Sequence, residues 1–172
     1  KENYELIEVN ADHYKSDKNM MSLLATQESK YASDINQIIG YSTIPLYRYF
    51  VVENTIDTLI IDALKWKFPE IDIALSNGFR FCPPRTTADH TGHIPITKGF
   101  LFDMLPVDST VRTAQVNGKQ LREWLEKELN NVFAKEASKR FGGWMIKFKG
   151  MEMAFNAFGE NNQRIQDITV AS

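Results

Sequence analysis

The sequence feature that most restricts the fold is a change of apolar period around residue 142. Between residues 121 and 133 large apolar side chains recur every three or four positions, which places them on one face of a helix. They are Leu121, Trp124, Leu125, Leu129, Val132 and Phe133. Gly142 and Gly143 interrupt this pattern, and three strand-like segments follow at 144–148, 152–155 and 164–170. Helices followed by successive strands predict an α+β domain, built as a mixed β-sheet with packed helices.

The first 39 residues carry a different pattern. Residues 4–9 alternate apolar and acidic side chains, which predicts a short strand. Ser16 can cap a helix whose apolar stripe runs from Met20 to Ile38 and ends before Gly40. We therefore expect residues 1–39 to form a strand and one long helix, distinct from a main domain over residues 40–172.

The middle of the chain predicts two helices and one strand. Asn54 or Thr55 can cap a helix that Phe68 and Pro69 end, and Thr97 can cap a second one that reaches Met104. The buried face of the first is expected to hold Ile56, Leu59, Ile60, Ala63 and Leu64. Residues 71–75 indicate a short strand. The alternation over 111–116, followed by Asn117 and Gly118, indicates an extended segment that ends in a turn.

Composition excludes several classes of protein. The chain has 172 residues, a net charge of −2 and 43% hydrophobic residues, and these values are typical of one globular domain. Its 11 Phe, 6 Tyr and 3 Trp argue against disorder, and it holds no apolar run of membrane-helix length. The near-neutral charge does not favour nucleic-acid binding. A single cysteine excludes an internal disulfide, and a chain beginning at Lys1 is expected to be a processed or cut piece.

Two groups of chemically reactive side chains can be considered for catalysis. Asp89, His90 and His93 lie within five residues and are possible zinc ligands, but a fourth ligand is missing and the alternative is a polar surface loop. Cys82 is a possible nucleophile, although no base adjoins it in the sequence, so a semi-buried thiol is the alternative. We therefore predict no catalytic residue and no metal site.

Binding residues are easier to place. Asn77, Gly78, Phe79, Arg80 and Phe81 directly follow the strand at 71–75, and strand ends are where open sheets usually bind ligands. The Arg80 guanidinium can hold an oxyanion, and the flanking aromatic rings can stack on a base. The alternative places the Phe rings in the core and Arg80 against a surface carboxylate.

Gly142 and Gly143 directly precede Trp144, the last tryptophan of the chain. Glycines allow the backbone to approach a ligand closely, and they also form hairpins and bulges. By itself this run favours the structural interpretation.

Five segments, in chain order, resemble the C-terminal domain of the 5′-nucleotidase family. Residues 53–64 resemble its "E-N…D…D-A" helix, and residues 72–80 are similar to "A-D-I-A-L-x-N-G-G-G-I-R". The remaining matches are 92–97 to "G-x-I-T", 104–106 to "V-L-P-F", and 116–121 with 125–126 to "L-T-G-x-Q-L…L-E". The resemblance covers roughly residues 40 to 170 and implies that family's fold.

The short strand-end segment and the late double glycine are similar to the subgroup that includes the sulfur-oxidising thiosulfohydrolases. That subgroup has "P-G-F-R-W" and "G-G-D" at the corresponding places. This chain has Asn77 in place of the proline and Trp144 in place of the acid. The resemblance therefore implies an exported nucleotidase-like hydrolase rather than thiosulfate chemistry.

The resemblance implies a division of labour. An N-terminal metallophosphoesterase domain, outside these residues, would carry two divalent metal ions and catalysis, and residues 1–39 would be its connector. This domain would hold no cofactor and would bind a nucleotide or related substrate, outside the cytoplasm in the periplasm or at the cell surface. The family's strand-end Asn and Arg correspond to Asn77 and Arg80. Its first base-stacking Phe, the Phe of "L-P-F", corresponds to Val107. The second stacking Phe would lie beyond Ser172, so Trp144 is the candidate substitute.

Three other functions stay open at this point. The aromatic loops could dock a protein or a glycan without binding nucleotides. The domain could belong to a thiosulfohydrolase-type enzyme. A small metal enzyme could use His90 and His93.

Overall fold

A computed structural model describes residues 4–48, 50–76, 84–142 and 144–171. The helices in these ranges are α1 (Lys18–Ser29), α2 (Ala32–Ile35), α3 (Thr55–Lys67), α4 (Lys98–Met104) and α5 (Gly118–Phe133). The strands are β1 (Ile38–Ser42), β2 (Ala74–Ser76), β3 (Ile94–Thr97), β4 (Lys147–Lys149), β5 (Met151–Phe155) and β6 (Ile165–Val170). This confirms the α+β class.

The strands form three antiparallel pairs in the described ranges: β1 with β3, β2 with β4, and β5 with β6. The sequence suggested one mixed sheet ending in a three-stranded meander. The three late strands are present, but β4 leaves its neighbours and pairs with β2, far earlier in the chain, with Ser76 opposite Lys147. Gly150 separates β4 from β5 with a φ of 95°, which redirects the chain between the two pairs.

Apolar side chains collect in two clusters. The first packs α3 and α4 against β3 and consists of Leu46, Ile56, Ile96, Phe100 and Met104. The second packs α5 against β5 and β6 and consists of Leu121, Leu125, Leu129, Met145, Met151 and Ile165. Leu46 of the first cluster lies two residues before Arg48, and Met145 of the second cluster directly follows Trp144. The contact between Arg48 and Trp144 therefore lies where the two clusters adjoin.

The three helices predicted after residue 50 are present, and two of them begin at a predicted cap. Asn54 and Thr97 accept hydrogen bonds from backbone amides three residues later, at the starts of α3 and α4. On α3 the buried residues are Ile56, Asp57 and Ile61. Of the other predicted residues, Leu59, Ile60 and Leu64 are partly buried and Ala63 is exposed.

The turn predicted at Asn117 and Gly118 is wrong. Asn117 is the N-cap of α5, and Gln120 completes a capping box by accepting from the Asn117 amide. Residues 111–116 form no strand, because all six are exposed and no described strand pairs with them. An Asn-Gly pair thus starts the helix rather than closing a hairpin.

The N-terminal prediction needs two corrections. Residues 4–9 form no strand; they are fully exposed and pair with no described strand. The long helix ends at Ser29, and its predicted stripe is divided among α1, α2 and β1. The chain turns there because residues 34–37 are tied to α4: Lys98 Nζ lies 2.5 Å from Asp34 Oδ1, and the Lys98 amide donates to the Gln37 carbonyl. Among the described residues, no helix is long and apolar enough to cross a membrane.

Candidate functional site

The strand-end loop predicted to bind substrate begins beside a group of buried charges. Asn77, Gly78, Phe79, Arg80 and Phe81 lie outside the described residues, as do Cys82 and Gly143. Their root is described: β2 ends at Ser76, which lies opposite Lys147 in the β2–β4 pair. The loop therefore leaves the sheet next to Lys147.

Trp144 is the predicted binding residue that the structure describes. Its ring is half-buried, and the Arg48 guanidinium carbon lies 5.5 Å from the ring centroid, which is within cation–π range. The Met145 amide donates to the Val51 carbonyl at 2.8 Å. That bond joins the segment carrying Trp144 to the segment that follows Arg48.

Arg48 forms an ion pair with the first turn of α3. Its Nε donates to Asp57 Oδ2 at 3.2 Å, and both side chains are at most 5% exposed. Asn54 fixes the carboxylate, because its Nδ2 donates to the same oxygen at 2.7 Å while its Oδ1 accepts from the Asp57 amide. Asp57 Oδ1 is buried and has no hydrogen-bond partner among the described residues. The N-cap of α3 therefore also orients the ion pair.

Lys147 brings a second cation into this site. It is 4% exposed, and its Nζ donates to the Val51 carbonyl at 2.6 Å and to the Met145 carbonyl at 2.8 Å. Burial lowers the pKa of Lys147 from 10.5 to about 8; Asp57 and Glu53 oppose this shift, and Arg48 adds to it. Two cations and one carboxylate thus lie together near the end of β2.

The low pKa of Lys147 predicts a pH dependence of stability. Between about pH 8 and pH 10.5 the unfolded chain holds this proton more tightly than the folded chain does. The free energy of unfolding of the unmodified chain should therefore rise with pH relative to that of Lys147→Met, by at most about 1.4 kcal/mol per pH unit. Denaturant titrations of both chains from about pH 7 to about pH 10 would check this. Parallel curves would contradict it.

Sequence reasoning missed Arg48, Asp57 and Lys147. One indication was available. Asp57 lies next to Ile56 on the apolar face of α3, so its carboxylate is expected to be buried and to need a partner. Lys147 offered none, because a lysine in a short strand ordinarily points into solvent. Only the pairing of β4 with β2 buries it.

The loop that carries Asp89, His90 and His93 does not fit a metal ion. Asp89 Oδ1 already accepts from the Thr91 amide, the Thr91 hydroxyl and the His93 amide, and Thr91 Oγ1 lies 2.9 Å from His93 Nδ1. With Tyr41 these residues line an open depression of about 600 Å³. In the described ranges no three His, Cys, Asp or Glu side chains are grouped to hold a metal. The loop is a polar surface turn.

Val107, which corresponds to the family's first stacking Phe, is 57% exposed and lies in the irregular segment between α4 and α5. An aliphatic side chain there offers no aromatic face to a base. At this site the described side chain with an aromatic face for a planar ligand is therefore Trp144, with the buried Arg48 guanidinium against its ring.

Comparison with known proteins supports the sequence resemblance. The family model described as "5′-nucleotidase, C-terminal domain" matches residues 35–172. No curated protein sequence matches the chain. Among solved structures, the fold is similar to that of the Thermus thermophilus sulfate thiohydrolase SoxB, with a TM-score of 0.77 and 18% identity over 93% of this chain.

A second solved structure, a 5′-nucleotidase precursor also from Thermus thermophilus, has a TM-score of 0.61 and 19% identity over 87% of this chain. This chain covers 29% of the first structure and 28% of the second. It therefore corresponds to less than a third of either protein. The family match extends over most of the chain, and the chain belongs to the family of 5′-nucleotidase C-terminal domains.

Proposed function

We propose that this chain is the substrate-binding domain of an exported, two-metal, 5′-nucleotidase-like phosphoester hydrolase. Catalysis would reside in an N-terminal metallophosphoesterase domain of the same polypeptide, with residues 1–39 as the connector and residues 40–172 as the specificity domain. The observation that supports this best is the pair of buried cations: Arg48 lies against the Trp144 ring, and Lys147 lies opposite Ser76, the last residue of β2 before the predicted binding segment. Phosphoesters carry negative charge, and nucleobases present a flat ring.

Each part of the substrate would have its own partner. Arg80 can bind a phosphate through two parallel hydrogen bonds, and Asn77 can bind a neighbouring hydroxyl or carbonyl. Trp144 offers a partly exposed ring for stacking, which Arg48 supports from one side. Gly78, Phe79 and Phe81 would complete the loop.

The two divalent ions would supply a metal-activated water and would stabilise charge on the phosphoryl group. In the described ranges no three His, Cys, Asp or Glu side chains are grouped to hold a metal. The role of this chain would be to bind and orient the substrate, which the domain would present by rotating on the connector.

Replacing Arg80 with alanine should test the substrate-binding role. In the full-length enzyme we expect KM to rise at least about tenfold with a small change in kcat, because the lost bonds act mainly on binding. Steady-state kinetics with AMP would measure both constants. Arg112→Ala is the matched control, since Arg112 is exposed between α4 and α5. Unchanged KM in Arg80→Ala would remove Arg80 from the site.

A thiosulfohydrolase-type domain is the second candidate. The exposed Val107 favours it, because a substrate without a base needs no aromatic ring there. Calorimetric titration of the chain with AMP and with thiosulfate separates the two functions. Binding of thiosulfate without AMP would replace the leading proposal.

A further inference from the structure

Lys147 joins two backbone segments that the sheet does not join. Its Nζ donates to the carbonyl of Val51, which lies between Arg48 and α3, and to the carbonyl of Met145, which adjoins Trp144. The Val51 carbonyl also accepts from the Met145 amide at 2.8 Å. The ammonium group thus links the segment that follows Arg48 to the segment that follows Trp144.

Such a burial needs a reason other than stability. Removing an ammonium group from water is unfavourable, and an apolar side chain of similar volume would usually pack at least as well. Carbonyl oxygens compensate only part of this cost. A charged lysine kept at 4% exposure, next to a second buried cation, is therefore better explained by what it holds in place.

We propose that Lys147 is a positioning residue: its ammonium group, by bridging Val51 and Met145, fixes the Trp144 ring over Arg48 at the root of the strand-end loop and so pre-organises the substrate-binding surface. The consequence for binding rests on the proposed function. The bridge itself does not, since it consists of contacts within this chain.

The charged groups that act on Lys147 all lie within residues 48–57. Arg48 lies before α3, Asp57 lies in its first turn, and Glu53 precedes it. Loss of the lysine proton weakens both charge-assisted bonds and removes its repulsion from Arg48. Because the pKa is about 8, this transition falls within an accessible pH range.

Trp144 fluorescence reports on the bridge directly. The other tryptophans, Trp66 and Trp124, are replaced by Phe, and Cys82 is replaced by Ser because an ordinary thiol titrates in the same range. In this background we expect a change in Trp144 emission with a midpoint near pH 8. Lys147→Met should abolish that change, and Lys147→Arg should keep the low-pH emission without a midpoint, since arginine stays charged.

The matched control is Lys149→Met, two residues along β4, where the lysine is half-exposed and pairs with Asp62. This variant should keep the transition near pH 8. A flat profile in the parent background, or a transition that persists in Lys147→Met, would overturn the proposal. If Lys147→Met does not fold, a transition retained in Lys147→Arg overturns it, and its loss there supports it.

Binding is measured separately, by calorimetric titration with AMP. We expect Lys147→Met to weaken AMP binding about tenfold and Lys149→Met to leave it unchanged. If AMP does not bind to the unmodified chain, the proposed function fails while the pH profile still decides the positioning role. If AMP binds equally to the chain and to Lys147→Met, the positioning role fails while the proposed function stands.

Discussion

Replacing Gly150 with alanine should lower the free energy of unfolding by at least about 3 kcal/mol. Gly150 has a φ of 95°, and an added Cβ would lie 1.9 Å from the Asp72 carbonyl oxygen. That oxygen belongs to the backbone, so it cannot move aside as a flexible side chain would. The clash also displaces the residue that passes the chain from the β2–β4 pair to the β5–β6 pair.

Chemical denaturation followed by circular dichroism would measure this loss, and thermal unfolding should show a decrease in Tm of about 6 to 12 °C or more for a domain of this size. Two other glycines serve as controls. Gly92 has a φ of 80° with open space at its Cβ position, so Gly92→Ala should cost only about 1 kcal/mol of backbone strain. Gly118→Ala, at the first residue of α5 with open space, should be neutral or slightly stabilising. Equal effects at Gly150 and Gly92 would contradict the clash with Asp72.

The second large effect is expected at Glu126, in the middle of α5. Its carboxylate is 3% exposed and accepts from the backbone amides of Arg164, at 3.1 Å, and Ile165, at 2.7 Å. Arg164, 1% exposed, donates in turn to the carbonyls of Ala157 and Phe133 and to Asn161. Glu126 therefore fixes the start of β6 on α5.

Glu126→Gln should lower the free energy of unfolding by about 2 to 4 kcal/mol. The variant keeps the shape, but one of the two amides loses its acceptor and the other loses a charged one. Urea denaturation would measure the loss. Glu123→Gln, one turn earlier on the exposed face, is the control and should change stability by less than about 0.5 kcal/mol. Comparable stability of the two variants would show that the Glu126 bonds contribute little.

The sequence was most informative where local signals and packing agree. Helix α5 combines an apolar stripe with its cap, and its predicted inner face is the second core cluster. The cap at Thr97 also predicted α4. The "L-E" pair of the family resemblance has a structural explanation, because Leu125 packs in that cluster and Glu126 binds the start of β6.

The sequence failed where one local pattern suits two structures. Asn117 and Gly118 fit a hairpin turn as well as a helix cap, and the capping box with Gln120 decides for the cap. Residues 4–9 alternate as a strand would, but strands need a partner, and none of the described strands pairs with them. The apolar residues of the predicted long helix keep the helical period past Ser29. The helix ends there all the same, because contacts between α2 and α4 turn the chain. The predicted binding segment from Asn77 to Phe81 stays a prediction.

By itself, the sequence determined the α+β class, the positions of its main helices and late strands, and the family, because these follow from period, caps and short motifs. Only the tertiary structure decided which charged side chains lie together near the end of β2. Pairing of β4 with β2 places Lys147 beside Arg48 and Asp57, which are about 90 to 100 residues away in the chain. No local pattern encodes that meeting, since the burial of a charged side chain depends on which distant backbone carbonyls and carboxylates surround it.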